Sequence, residues 1–98
     1  MSENAGRVYN LGTMMVAGNE EKIMELMRQG AEFVIKYKRE NGMLEDEYWA
    51  FDGDKFYIGY IDDKLTLEEL AARADNDKNC YEVSVLFNGE NYFTVTII

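Results

Sequence analysis

Histidine is absent from the 98 residues. Its absence removes the commonest general base, the commonest metal ligand and the usual charge switch near neutral pH. Proline is absent too, which leaves no rigid linker and no PxxP segment. The single cysteine, Cys80, excludes an intramolecular disulfide and a thiolate zinc cluster within one chain, and it suits a reducing compartment. Apolar runs such as Met14 to Ala17 and Phe33 to Ile35 fall far short of the roughly 20 residues that span a bilayer. The opening MSENAGRVYN has no basic stretch leading into an apolar core, so it does not read as a signal peptide. These absences point to a cytoplasmic protein with no membrane association. No internal repeat or low-complexity tract is found.

What is present is a folding composition. Apolar residues make up 47% and aromatics 13%, well above a disordered acidic tail. The length is that of one domain, residues 1–98, with residues 1–6 expected to fray. Such a chain buries roughly 60–65% of its unfolded surface, an adequate core without surplus.

The charge is distributed unevenly. Residues 1–39 carry six bases and five acids, and residues 78–98 carry one base and two acids. Residues 40–77 carry twelve acids against Lys55, Lys64 and Arg73, which accounts for the net −9 of the whole chain. A block of one sign on a small body favours cationic partners and repels polyanions.

Periodicity gives the elements. Residues 7–17 follow neither period cleanly, and the balance leans to a strand or an irregular apolar arm. Asn19 is placed to cap a first helix, with Glu20 and Glu21 in its first turn, Ile23, Leu26 and Met27 at helical spacing, Arg28 in the last turn and Gly30 as terminator. Phe33, Ile35 and Tyr37 alternate with Val34, Lys36 and Lys38 as a strand. Asn41-Gly42 signals a type I′ hairpin leading into a strand over Glu45 to Phe51. Asp52-Gly53-Asp54 makes the next turn, and Lys55 to Ile61 a third strand. Thr66-Leu67-Glu68-Glu69 is a capping box opening a helix whose Leu67, Leu70, Ala71 and Ala74 form one stripe. Asp75 to Asn79 is a polar loop. A last hairpin runs from Cys80 to Phe87, turns at Asn88-Gly89 and returns from Glu90 to Ile98. The order is (β)-α-β-β-β-α-β-β. It implies an α+β fold, an antiparallel sheet of about five strands with two helices packed on one face.

Few residue groups carry chemistry. Glu45, Asp46, Glu47, Asp52, Asp54, Asp62 and Asp63 fall on the meander and its turns. One reading is a solvated face that keeps a small protein soluble. The other is a row of carboxylates standing where phosphates would stand, offered to the Lys and Arg of a nucleic-acid-handling protein. Tyr48, Trp49, Tyr57 and Tyr60 lie among them. Alternation sends Tyr48 and Trp49 to opposite faces, and Tyr57 opposite Tyr60. Core packing claims Trp49, Phe51, Phe56, Ile58 and Tyr60, while Tyr48 and Tyr57 join the acids as contact residues. Direct binding of nucleic acid is excluded by the sign of the charge. The segment Lys36-Tyr37-Lys38-Arg39 is a short basic stripe suited to pair with the acidic strand beside it.

Asp75-Asn76-Asp77-Lys78-Asn79 begins like a calcium loop but fails at Cys80 and Leu86, where a glycine and a bidentate glutamate are required. No metal and no cofactor is expected. Cys80 has no histidine to activate it, and Ser2 and Ser84 are the only serines. Paired carboxylates are unavoidable with nineteen acids, so they do not argue for an enzyme. Met14, Met15, Met24 and Met27 read as core filler ahead of an adaptable partner groove.

In size, charge and class the chain is similar to two groups of small proteins: phage-encoded inhibitors of host defence nucleases, including anti-CRISPR proteins, and immunity proteins that neutralise nuclease toxins. That resemblance implies a non-enzymatic inhibitor presenting residues 40–77 to a basic nuclease or nucleic-acid-binding complex. It carries over no residue roles. Two alternatives stand beside it. One is a small ligand- or metal-binding domain built on carboxylates and tyrosines. The other is a self-associating module that pairs its C-terminal strand with a second copy as a homodimer.

Overall fold

The computed structural model describes residues 10–97. The expected fraying of residues 1–6, the start of the 7–17 segment and the final Ile98 lie outside that range. The elements are α1 (Leu11–Val16), α2 (Glu20–Arg28), β1 (Glu32–Lys38), β2 (Leu44–Phe51), β3 (Phe56–Tyr57), α3 (Leu67–Asn76), β4 (Cys80–Phe87) and β5 (Glu90–Thr96). All neighbouring strands are antiparallel, in the order β3-β2-β1-β4-β5, and the helices lie on one face, an α+β fold. Among the described residues no helix is long and apolar enough to cross a membrane.

Most elements read as expected, with three main corrections. Phe33, Ile35 and Tyr37 of β1 and Val83 and Val85 of β4 point under the helices and are fully buried. Leu11, Met15, Ile23, Leu26, Met27, Leu70 and Ala74 close over them from the helices. Turn chemistry sets the β4–β5 hairpin: Asn88 and Gly89 have φ of 53° and 80°, the two positive values that a type I′ turn needs.

The first correction concerns α1. The segment leaning to strand is helical, because Leu11 and Met15 stand one turn apart and both are fully buried. Gly12, which weakened either reading by sequence, is the reason the helix fits. A Cβ there would lie 2.3 Å from the Ala71 carbonyl oxygen, so only glycine lets α1 cross α3 this closely. Asp75 secures the crossing: its carboxylate accepts from the Gly12 N–H at 2.7 Å, the Thr13 N–H at 3.1 Å and the Thr13 hydroxyl. Asp75 and Asn76, expected in the polar loop, are the last two residues of α3.

The second correction is at Asn41-Gly42. The Gly42 N–H donates to the Arg39 carbonyl and the Arg39 N–H to the Met43 carbonyl, both at 2.8 Å, and only Gly42 is left-handed (φ 88°). This is a three-residue loop with a glycine bulge, not a two-residue type I′ turn.

Third, β3 is two residues long, not seven. Phe56 exchanges both backbone hydrogen bonds with Leu65, at 2.7 and 2.8 Å, so the chain doubles back directly after the strand. The Ile61 N–H donates to the Ile58 carbonyl at 3.1 Å, a turn that takes Ile58–Ile61 out of the sheet.

The helix ends follow their signals, except at Asn19. Thr66 and Glu69 form the full capping box on α3. At Gly30 (φ 105°) the Gly30 and Ala31 N–H groups return to Met27 and Leu26, a Schellman stop for α2. Asn19 does not cap α2 through its side chain; its amide turns back to the Met15 carbonyl at 3.0 Å.

Candidate functional site

The strand β2 alternates. Asp46, Tyr48 and Ala50 face away from the helices, whereas Glu47, Trp49 and Phe51 face under them. Glu47 is thereby carried into the interior in phase with two core aromatics, and it is 7% exposed. A buried carboxylate is tolerated only when its lone pairs are taken up and its charge is paired.

Four side chains do this. The Tyr37 hydroxyl donates to Glu47 Oε1 at 2.8 Å and the Trp49 indole N–H to the same oxygen at 3.3 Å. Arg73 Nη2, from α3, donates to Oε2 at 3.0 Å, and the Tyr60 hydroxyl reaches the same oxygen. The Arg73 guanidinium also lies 5.5 Å over the Trp49 ring, an electrostatic contact with the ring face.

The protonation states follow from this geometry. Burial pulls the Glu47 carboxyl up, but Arg73 and the Tyr60 and Tyr37 hydroxyls outweigh it and hold the group below the ordinary carboxylate range. Burial and the adjacent Glu47 carboxylate push both tyrosine hydroxyls upward, Tyr37 the more strongly. The hydrogen bond to Glu47 raises Arg73. Every shift moves away from neutrality, so at pH 7 the cluster holds an ionised carboxylate, neutral phenols and a guanidinium cation.

Two open grooves flank the cluster. One, of about 620 Å3, is lined by Tyr37, Arg39, Arg73 and the Asn76–Asn79 segment. The other, of about 440 Å3, is lined by Arg39, Glu45, Asp46, Glu47, Tyr60 and Arg73. The cations on their walls are already engaged. Arg39 binds Glu45 at 2.7 Å and Asp77 at 3.3 Å while stacking over Tyr37, and Lys78 lies 3.6 Å from Glu40. Among the described residues no group of three or more acids and cysteines is arranged to hold a metal ion.

The residues singled out from sequence divide into three places. Glu47 and Glu45 are on the helix side, the first buried and the second paired with Arg39. Asp46, Tyr48 and Tyr57 lie on the open face, with Asp46 in register with Lys36 and Tyr48 and Tyr57 48% and 40% exposed. Asp52, Asp54, Asp62 and Asp63 occupy the two loops that flank β3. Asp52 is a turn-former: it accepts from the Asp54 and Lys55 N–H groups and binds Lys64 Nζ at 2.7 Å. The Lys64 ammonium, followed by those two N–H groups, holds its carboxyl well below the usual range. The pair also ties the two acidic loops to each other. Residues 40–77 thus do not form one continuous acidic face; the acids are split between two sides of the sheet and the β3 end.

Tyr60 departs from its expected core role. It is 66% exposed, although its hydroxyl reaches inward to Glu47. Nothing in the sequence pattern marks Arg73 and Tyr37 as partners of Glu47. The signal was there for Glu47: positions 47, 49 and 51 share one phase, and assigning Trp49 and Phe51 to the core assigns Glu47 with them. No family model, no curated protein and no solved structure matches the chain.

Proposed function

We propose that this chain is a non-enzymatic binding protein that inhibits or titrates a basic nucleic-acid-handling partner, and that its contact surface is the β3 end of the sheet. The observation that carries this reading is the pair of loops joined by Lys64 and Asp52. They present Asp54, Asp62 and Asp63, all exposed and in no salt bridge among the described residues, with exposed Tyr57 in β3 and exposed Tyr60 in the loop that follows it. Carboxylates at a solvent-facing edge with tyrosines between them supply both the steering charge and the rigid apolar area of a docking site. The Glu47 cluster itself is no general acid or base near neutral pH, because its groups are driven the other way, and it serves here to hold β2 and α3 under the proposed surface. The grooves beside it favour a small ligand less, since the Arg39 and Arg73 guanidiniums are already paired with Glu45, Asp77 and Glu47.

The test is capture of partners from lysate by the immobilised chain at low salt, followed by release with duplex DNA. A mimic of nucleic acid gives up its partner to DNA and to salt raised to about 0.5 M, where the screening length falls to a few ångströms. Asp54→Asn, Asp62→Asn and Asp63→Asn combined should abolish capture without altering the melting temperature. Partners that survive DNA, salt and the triple substitution alike would overturn the proposal.

A further inference from the structure

The two edges of the sheet are finished differently. The β3 edge is two residues long, its Phe56 backbone is paired with Leu65, and charged loops flank it. These are the usual protections against strand-to-strand association. Beyond its hairpin end, where Glu90 and the register shift opposite Val85 and Leu86 lie, the β5 edge has none of them. Among the described residues no strand lies beyond β5, and from Asn91 to Ile97 it has no lysine, no acid and no proline, in a chain that is 30% charged.

The ladder identifies which backbone groups point outward. The Ile97 N–H donates to the Tyr81 carbonyl, and Val83↔Val95 and Val85↔Phe93 lie two and four residues further along that ladder. Odd-numbered residues therefore bond to β4, leaving Thr94 and Thr96 with N–H and C=O groups directed away from the sheet. The side chains alternate as well. Phe93, Val95 and Ile97 sit half-buried against the core, and Thr94 and Thr96 lie on the open face.

We infer that β5 is a homodimer interface, in which two copies pair this strand antiparallel about a twofold axis and join their sheets into one. A register centred on Val95 sets Val95 against its own copy and Phe93 against Ile97 on the core side, with Thr94 against Thr96 on the open face. The outward N–H and C=O groups of both threonines are then satisfied, and three half-buried apolar side chains per copy gain neighbours. The occupant follows from charge. A basic partner is drawn to the acids, and this stretch has none; two copies carrying −9 each approach best where neither shows charge.

The experiment is sedimentation equilibrium on the full chain up to about 1 mM, at salt between about 0.1 and 0.5 M. The expected mass rises with concentration from 11.4 kDa toward twice that value. The dimer should tighten as salt screens the like charges, the opposite of the salt response proposed for the basic partner, so the two readings fail separately. Thr94→Lys, placing a charge on the edge, should weaken the dimer by roughly tenfold or more with the circular dichroism unchanged. Thr94→Pro, which removes an outward N–H and spares the β4 ladder, should do the same; if it does not fold, Thr94→Lys alone decides. Hydrogen exchange at the Thr94 and Thr96 amides should slow with concentration. A mass of 11.4 kDa throughout, edge amides protected in the monomer, or a Thr94→Lys dimer as tight as the parent would overturn the inference.

Discussion

Glu47 is the residue on which the interior polar chemistry depends. Its carboxylate receives Tyr37, Trp49, Tyr60 and Arg73, so removing it strands several donors at once. Deleting one partner of a buried pair costs more than the pair is worth, because the other charge stays behind. Glu47→Ala should cost about 2–4 kcal/mol, the upper part of the range being moderated by the partial exposure of Arg73. Urea denaturation measures it; a loss below about 0.5 kcal/mol would show that the cluster holds nothing together. Tyr37→Phe, which leaves Glu47 three donors, should cost about 1 kcal/mol in the same assay. Glu47 was legible as inward-facing from its phase with Trp49 and Phe51. Its partners were not, since Arg73 lies 26 positions further along the chain and nothing local records that meeting.

At the scale of elements, the α1–α3 crossing sets two rules in opposition. Helix propensity predicts that Gly12→Ala stabilises α1 by up to about 1 kcal/mol. The crossing predicts a loss, since the new methyl would sit 2.3 Å from backbone that cannot rotate aside. Overpacking of this kind costs about 1–3 kcal/mol, so packing prevails and the variant should melt lower. A higher melting temperature would mean that the helices separate at little cost. This contest also shows why α1 was misread. Capping boxes, Schellman stops and hairpin turns are written in adjacent residues, and all of α2, α3, β4 and β5 could be placed from them. A glycine that serves contact with Ala71 looks, in one dimension, like a helix-breaker. The shortened β3 has the same origin, because Leu65 claims Phe56 through the backbone and no side-chain pattern records the exchange.

For the molecule as a whole, the same contacts fix how stability depends on pH. Glu47, Asp52 and Glu69 have carboxyls held low in the folded state, by Arg73 and the tyrosines, by Lys64, and by the Thr66 N–H respectively. The unfolded chain takes up protons first, so their stabilisation is full above the ordinary carboxylate range and is lost as pH falls through the folded values. Tyr37 and Tyr60 work at the other end. The folded protein keeps them neutral while the unfolded chain ionises them near about 10, so stability drops above that pH. Thermal melts across the range should give a plateau bounded on both sides, and Tyr37→Phe should extend it upward. A flat alkaline limb in the parent would contradict the tyrosine account. The uneven charge noticed in the sequence is real, yet folding distributes it over two sides of the sheet, which a linear tally cannot show.

The strand order has a consequence during synthesis. β1 is the middle of the sheet, and one of its neighbours, β4, pairs Leu86 with Glu32. A ribosome that has released only the first three strands holds a sheet with its central member bare along one side. Translation must run through the first strand of the last hairpin before that flank closes. Products of premature termination ahead of Cys80 would present an open β1 edge, a template for aggregation and a substrate for quality control.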